Sequence, residues 1–305
     1  MIKDIREKLE KIIKAEAIEE NAPMAEHTSF RAGGCADLLV TADDTDSLRA
    51  VLQVLSSEGC PHMVLGNGSN ILVRDGGYRG VIVRIGDGFS DIKTEGSRLV
   101  CGAAARMSAV ARAAQAEGLA GFEFASGIPG SIGGAVFMNA GAYGGEMAEL
   151  LETVHAVSPD GSREYDISAS ELDMGYRHTA LHETGDIVIE AVLKLEPGDK
   201  EEIRKTISDL TSRRNAKQPV NYPSAGSFFK RPEGHFAGAL IQDAGFKGLA
   251  VGGAQVSELH AGFIINRGGA TASDILQLME IVQARVMDMA GVRLEPEVRI
   301  IGEEL

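Results

Sequence analysis

Residues 126–146 read SGIPGSIGGAVFMNAGAYGGE. The segment carries few charges and a cluster of glycines, yet Ile128, Ile132, Val136, Phe137 and Met138 run through it. Flexible linkers are glycine- and serine-rich without such apolar side chains. Glycine reaches backbone angles that other residues avoid, and it lets the main chain come very close to a ligand. Gly127, Gly130, Gly133 and Gly134 free the backbone here. Ser126 and Ser131 offer hydroxyls, and Ser131 is expected to cap a short helix starting at Ile132. One ligand that suits such a loop is a diphosphate gripped by main-chain N–H groups. The competing reading is backbone packed closely on backbone.

A second glycine loop lies upstream, in LGNGSNIL (65–72). It is not a P-loop, because no Gly-Lys-Ser/Thr follows. It is not a Rossmann fingerprint either, since Ile71 stands where the third glycine would fall and the loop leads into a strand. Alone it reads equally well as a tight turn. Two N–H-rich loops in one domain suit a dinucleotide whose diphosphate lies between them.

Outward from these loops, Ile5, Leu9, Ile12 and Ile13 recur at helical spacing and predict an N-terminal amphipathic helix. Strands are expected over 36–42, 63–66, 71–73, 80–85, 98–103 and 187–195, and a hairpin with a Pro-Asp-Gly turn over 154–165. Helices are expected around Leu48–Leu55, over Met107–Gly118, around Ile203–Leu210 and near 272–290, and EPEVRIIG (295–302) reads as a closing strand. Strands and helices mix without regular βαβ alternation, so the fold class is α+β. A break at Glu196-Pro197-Gly198-Asp199 suggests two domains, 1–197 (core about 30–197) and 198–305. In that division the closing strand returns toward the first domain's ligand.

Bulk properties narrow the function. The 305 residues are 44% hydrophobic and carry a net charge of −14, which argues against a nucleic-acid surface. Anionic ligands must therefore meet a few local Arg, Lys and N–H groups. Cys35, Cys60 and Cys101 form no CxxC and read as buried, reduced thiols of a cytoplasmic protein. No signal-peptide core or membrane-spanning run is evident. His27, His62, His155, His178, His182, His235 and His260 lack metal-site spacing, so no metal is expected.

GNGSN followed by SGIPGSIGGAVFMNAGAYGGE resembles the FAD-binding domain of the vanillyl-alcohol-oxidase type. Within it, the chain is similar to the UDP-N-acetylenolpyruvoylglucosamine reductase family of bacterial peptidoglycan synthesis. HTSFRAGG (27–34), GYRHTAL (175–181), YPSAGSFFKRP (222–232), VGGAQVSELHAGFIIN (251–266) and EPEVRIIG fall in that family's order, so the resemblance spans nearly the whole chain. It implies non-covalent FAD held by Gly66, Asn67, Gly68, Ser69 and Asn70. The second loop would contribute Ser126, Gly127, Ile128, Pro129, Gly130, Ser131, Gly133 and Gly134, with Asn139 and Gly141 beyond it. It also implies NADPH as hydride donor, a UDP-sugar as substrate and a C-terminal α+β substrate domain. No obligatory protein partner or membrane insertion is expected. Nothing after Arg177 leaves room for the substrate-covering loop of the longer subtype, so the shorter subtype is expected.

The implied reaction reduces an enolpyruvyl ether to a lactyl ether. A hydride must reach the terminal carbon, which flavin chemistry supplies. The carboxylate must be anchored, and the neighbouring carbon must be protonated. The resemblance assigns Arg177 to the carboxylate, which a guanidinium binds bidentately. It assigns Ser227 as proton donor and Glu297 to polarise the acid or stabilise the enol. Glu295 and Glu297 share one face at strand period, and the family's pattern points to Glu297. Lys217, Tyr222 and Arg231 are expected to bind substrate. Arg213 and Arg214 are read either as contacts to the substrate diphosphate or as a solvated helix end. Arg231 stands where the family often has Asn, Leu259 where Lys is expected and His27 where Asn is common. The rivals are a flavin oxidase of the same superfamily, which would not need the Arg177, Ser227 and Glu297 set, and a non-catalytic nucleotide-sugar-binding protein.

Overall fold

Helix Ile2–Leu9 buries Ile5 and Leu9, the pair one helical turn apart, and packs against helix Thr45–Ser57. The latter starts at a capping box in which the Ser47 N–H donates to Asp44 Oδ1 at 2.7 Å, and it buries Leu48, Val51, Leu52 and Leu55. The computed structural model describes residues 2–305. It divides into two compact units, one holding the chain up to Glu20 with Leu38–Asn67 and Gly80–Arg214, the other holding Asn21–Asp37, Gly68–Arg79 and Asn215–Leu305. The units interleave along the sequence, whereas the break at Glu196-Pro197 is a short strand paired with Leu119–Ala120 inside the first unit.

The first unit is built on a five-stranded antiparallel sheet. Its order is Glu164–Ser168, Leu151–Val157, Ile187–Lys194, Arg98–Gly102, Ile92–Glu95. In the central strand Ile187, Ile189, Ala191 and Leu193 are buried as period two requires. Val188 is buried as well, because helix Ile132–Phe137 packs on this strand. That packing fixes where the preceding glycine loop sits. In a four-stranded sheet, His62–Leu65 pairs in parallel with Tyr78–Ile85, His62 opposite Val81. The other glycine loop begins at the carboxyl end of His62–Leu65, where open α/β sheets place their ligands.

The second unit packs around helix Ala272–Ala290, which buries Ile275, Leu278, Val282 and Val286. Thr271 caps it, accepting from the Asp274 N–H at 3.0 Å, and Asp75 accepts from the N–H groups of Ala272 and Ser273 at 2.8 and 2.7 Å. Against the helix lies a three-stranded antiparallel sheet of Ala250–Val251, Ala254–Val256 and Ile264–Asn266. Arg299–Ile301 pairs in parallel with Ile71–Val73. Phe30 meets Phe228 edge-on at 6.3 Å inside this core.

Two expectations need correction. Cys35 is exposed, since it opens strand Cys35–Ala42 with its side chain outward; only Cys60 and Cys101 are buried. Burial and the neighbouring Glu190 push the Cys101 thiol up to about 12, so it is inert. The closing strand covers only Arg299–Ile301, and Glu295 and Glu297 precede it.

His260 makes the second unit sensitive to acid. Its Nδ1 accepts from the Gly262 N–H at 3.1 Å, and burial together with Lys247 holds its pKa below the ordinary 6.5. The unfolded chain therefore binds the proton more readily than the folded one. Stability is full above the unfolded value and falls as pH drops below it. The urea midpoint should fall between about pH 7.5 and about pH 5.5, and His260→Asn, which keeps an acceptor but does not titrate, should flatten that fall. Equal slopes in the two proteins would contradict it.

Candidate functional site

Within the first unit Gly66 of the upstream loop meets Ser131 of the second. A Cβ placed on Gly66 would stand 2.9 Å from Ser131 Oγ, so glycine is needed for the loops to approach this closely. The second loop is held in place through its main chain. Met107 N–H donates to Gly130 O at 3.2 Å, Ile132 N–H to Ala105 O at 2.9 Å and Gly133 N–H to Ala103 O at 2.9 Å. Ser131 occupies the N-cap position of Ile132–Phe137, yet its hydroxyl makes no capping bond, contrary to expectation. Ser131 Oγ and Ser126 Oγ are both buried and have no hydrogen-bond partner among the described residues. Buried hydroxyls are normally satisfied, so two orphans on one glycine loop mark a place for a polar ligand.

Arg177 sits at the corner of a tight turn closed by Gly175 N–H to His178 O at 3.0 Å and His178 N–H to Gly175 O at 3.2 Å. Its φ is +55°, an uncommon and strained left-handed conformation for arginine. The guanidinium donates to Gly141 O at 3.1 Å and, more weakly, to Asn139 O at 3.4 Å. Fully buried Asn139 clamps this corner: its Nδ2 donates to Gly175 O at 2.9 Å and its Oδ1 accepts from Ala148 N–H at 2.9 Å. Thr179 adds a hydroxyl donation to Phe137 O at 3.0 Å. The Asn139 amide is thus engaged with protein groups, and it positions Arg177 relative to the end of the glycine stretch.

The second unit brings Ser227 and Glu297 together. Glu297 N–H donates to Phe228 O at 2.8 Å, Phe228 N–H to Gly262 O at 2.8 Å, and Phe229 bridges Pro296. Ser227 is exposed between buried Ala225 and Phe228, while Glu297 is half-buried. The sequence placed Glu295 and Glu297 on one strand face, and the family resemblance alone pointed to Glu297. Backbone pairing to Phe228 and Lys230 orders this segment instead, and Glu295 is exposed with Lys230 Nζ 4.0 Å away. Asn70, expected at the cofactor, donates its Nδ2 to Glu297 O at 3.1 Å.

Sequence reasoning missed Ser29 and Asn266. Ser29 Oγ donates to Ser224 O at 2.7 Å, and Asn266 N–H donates to Pro223 O at 2.9 Å. The Asn266 side chain donates to Phe30 O and Arg31 O and accepts from Gly268 and Ala270 N–H. Together they moor the loop that carries Ser227. Their only signal was a place inside the HTSFRAGG and VGGAQVSELHAGFIIN motifs.

Of the expected substrate residues, Lys217 is exposed at the end of helix Lys200–Lys217. Tyr222 is exposed with Arg267 5.3 Å from its ring centre, and Arg231 lies 4.0 Å over Phe236. His182 packs on Phe137 at 4.1 Å and on His178 at 5.3 Å, and among the described residues no group of His, Cys, Asp and Glu is arranged to hold a metal.

Comparisons with known proteins agree with this geometry. Residues 218–301 match the domain family described as UDP-N-acetylenolpyruvoylglucosamine reductase, C-terminal domain, and residues 36–164 match the FAD binding domain. A protein of Alkaliphilus oremlandii named UDP-N-acetylenolpyruvoylglucosamine reductase is 47% identical over 97% of both chains. One of the same name from Clostridioides difficile is 44% identical over 99% of both. The crystal structure of such a reductase from Thermus caldophilus superposes with a TM-score of 0.79 at 36% identity, covering 91% of this chain and 97% of that one. A variant of Phl p 4, a glucose dehydrogenase, superposes with a TM-score of 0.50 at 16% identity over 64% of this chain and 44% of its own, a likeness of fold alone.

Proposed function

The chain belongs to the UDP-N-acetylenolpyruvoylglucosamine reductase family, and we propose that it performs that family's reaction through Arg177, Ser227 and Glu297. It is an FAD-dependent oxidoreductase that reduces the enolpyruvyl ether of UDP-N-acetylglucosamine to UDP-N-acetylmuramate with NADPH, a step of peptidoglycan precursor synthesis. The observation that carries the cofactor assignment is the close approach of Gly66 to Ser131 together with the orphaned hydroxyls of Ser126 and Ser131 on the second glycine loop. These residues fit FAD: the loop N–H groups and hydroxyls hold its diphosphate without covalent attachment. When bound, FAD supplies hydride transfer between NADPH and the enolpyruvyl group.

The protein's own residues do the rest. Arg177, held at its strained corner, grips the substrate carboxylate and opposes the negative charge that builds on it as hydride arrives. Ser227 gives its hydroxyl proton to the carbon next to that carboxylate. Glu297 polarises the acid and helps restore its proton. Lys217, Tyr222 and Arg231 bind the UDP-sugar, Lys217 and Arg231 by charge and Tyr222 by its ring. We place the protein in the cytoplasm, where nucleotide sugars and NADPH occur. No helix among the described residues is long and apolar enough to cross a membrane.

The proposal is tested by incubating the purified protein with NADPH and enolpyruvyl-UDP-N-acetylglucosamine without oxygen. One NADPH should be consumed per product, and the product should be heavier than substrate by one hydride and one proton. NADPH consumption that requires oxygen would overturn it.

A further inference from the structure

Arg213 and Arg214 are adjacent on helix Lys200–Lys217, so their side chains leave it about 100° apart. Their environments differ accordingly. Arg213 is exposed and pairs with Asp209, one turn back, at 2.8 Å. Arg214 is half-buried and runs across the second glycine loop: a Cβ on Gly127 would stand 2.8 Å from its Cδ. Any residue but glycine at 127 would push this side chain away. No hydrogen bond or ion pair to Arg214 exists among the described residues, and its one electrostatic neighbour is the Tyr143 phenol. Burial pulls its pKa below the ordinary arginine value, which registers lost water with no carboxylate in return.

Arginine stays charged under these conditions, and a desolvated, unpaired cation is costly. It is tolerated where a ligand supplies the missing anion. Ser126 Oγ, beside Gly127 in sequence, is also buried without a partner among the described residues, so two polar groups at this loop lack their complement. Elsewhere the chain is acidic, with a net charge of −14, so a cation kept free of acidic neighbours stands out.

We propose that Arg214 is a cofactor-binding residue whose guanidinium, laid across Gly127, receives negative charge from bound FAD. The inference rests on the FAD reading above and extends it to a residue outside the glycine motifs. The anion is either the diphosphate or the pyrimidine edge of the reduced flavin, and the two are separable. The test compares wild type, Arg214→Met, Arg214→Lys and, as a surface control, Arg213→Met. It measures the dissociation of FAD from the holoprotein, the binding of riboflavin to the deflavinated full-length chain, and the midpoint potential of bound flavin.

A tenfold or greater loss of FAD affinity in Arg214→Met, with riboflavin unaffected, assigns the cation to the diphosphate. Unchanged affinity for oxidised FAD with a more negative potential assigns it to the reduced ring. A tenfold change in preference there corresponds to about 30 mV for two electrons. Arg214→Lys should show the same sign at smaller size, and it keeps the proposal open to refutation if the Met variant folds poorly. Overlap of the Arg214 variants with Arg213→Met in every readout overturns the inference. A wild-type protein that binds no FAD would overturn the underlying reading as well, and the two failures are therefore distinct.

Discussion

Ser227→Ala, reduced with NADPH and mixed with enolpyruvyl-UDP-N-acetylglucosamine, should return to the oxidised flavin spectrum roughly 10²–10⁴ times more slowly than wild type. Reduction of the same variant by NADPH should proceed at nearly the wild-type rate, because no proton is delivered to substrate in that half of the cycle. The substitution is structurally mild. Ser227 is exposed, and the mooring bonds through Phe228, Pro223 and Ser224 are all to main-chain atoms. A selective loss in the oxidative half therefore reports chemistry rather than folding. Equal loss in both halves, or normal turnover, would remove Ser227 from the role of acid.

Arg177→Met should cost a further large factor, roughly 10²–10³ in reoxidation by substrate, since it deletes the cation facing the charge that develops on the carboxylate. Arg177→Lys should recover little. Lysine keeps the charge but loses the planar pair of donors that meets a carboxylate bidentately. The left-handed φ of +55° favours neither replacement, so thermal unfolding of both variants should be recorded alongside. If Arg177→Lys restores most of the rate, the residue acts as a point charge and bidentate anchoring is wrong.

The parts of this picture that depend on spacing were legible in the sequence. Leu48, Val51, Leu52 and Leu55 lie buried on one helix face, as their periodicity requires. The glycine loops were legible because backbone approach leaves few alternatives to glycine, and Gly66 against Ser131 shows that approach. Features set by tertiary partners were not legible. Ser131 looked like a helix cap, yet its hydroxyl is orphaned. Strand period put Glu295 and Glu297 on one face, and only the resemblance chose Glu297; in the structure the strand starts only at Arg299, and Lys230 lies near Glu295. Arg213 and Arg214 read alike, either as substrate-diphosphate contacts or as a solvated helix end. Separating them requires knowing that Asp209 lies one turn back while Gly127 arrives from a distant part of the chain. Asn139 sat inside the glycine stretch with no sign that its amide clamps Gly175 and Ala148.

The account stands on one claim above the rest: that this protein passes hydride from NADPH to an enolpyruvyl UDP-sugar. The direct measurement is anaerobic stopped-flow absorbance of the flavin, with the protein first reduced by one equivalent of NADPH and then mixed with enolpyruvyl-UDP-N-acetylglucosamine. Rapid return of the oxidised spectrum in the absence of oxygen is the predicted result. A flavin that stays reduced until air is admitted would contradict it and would identify an oxidase instead.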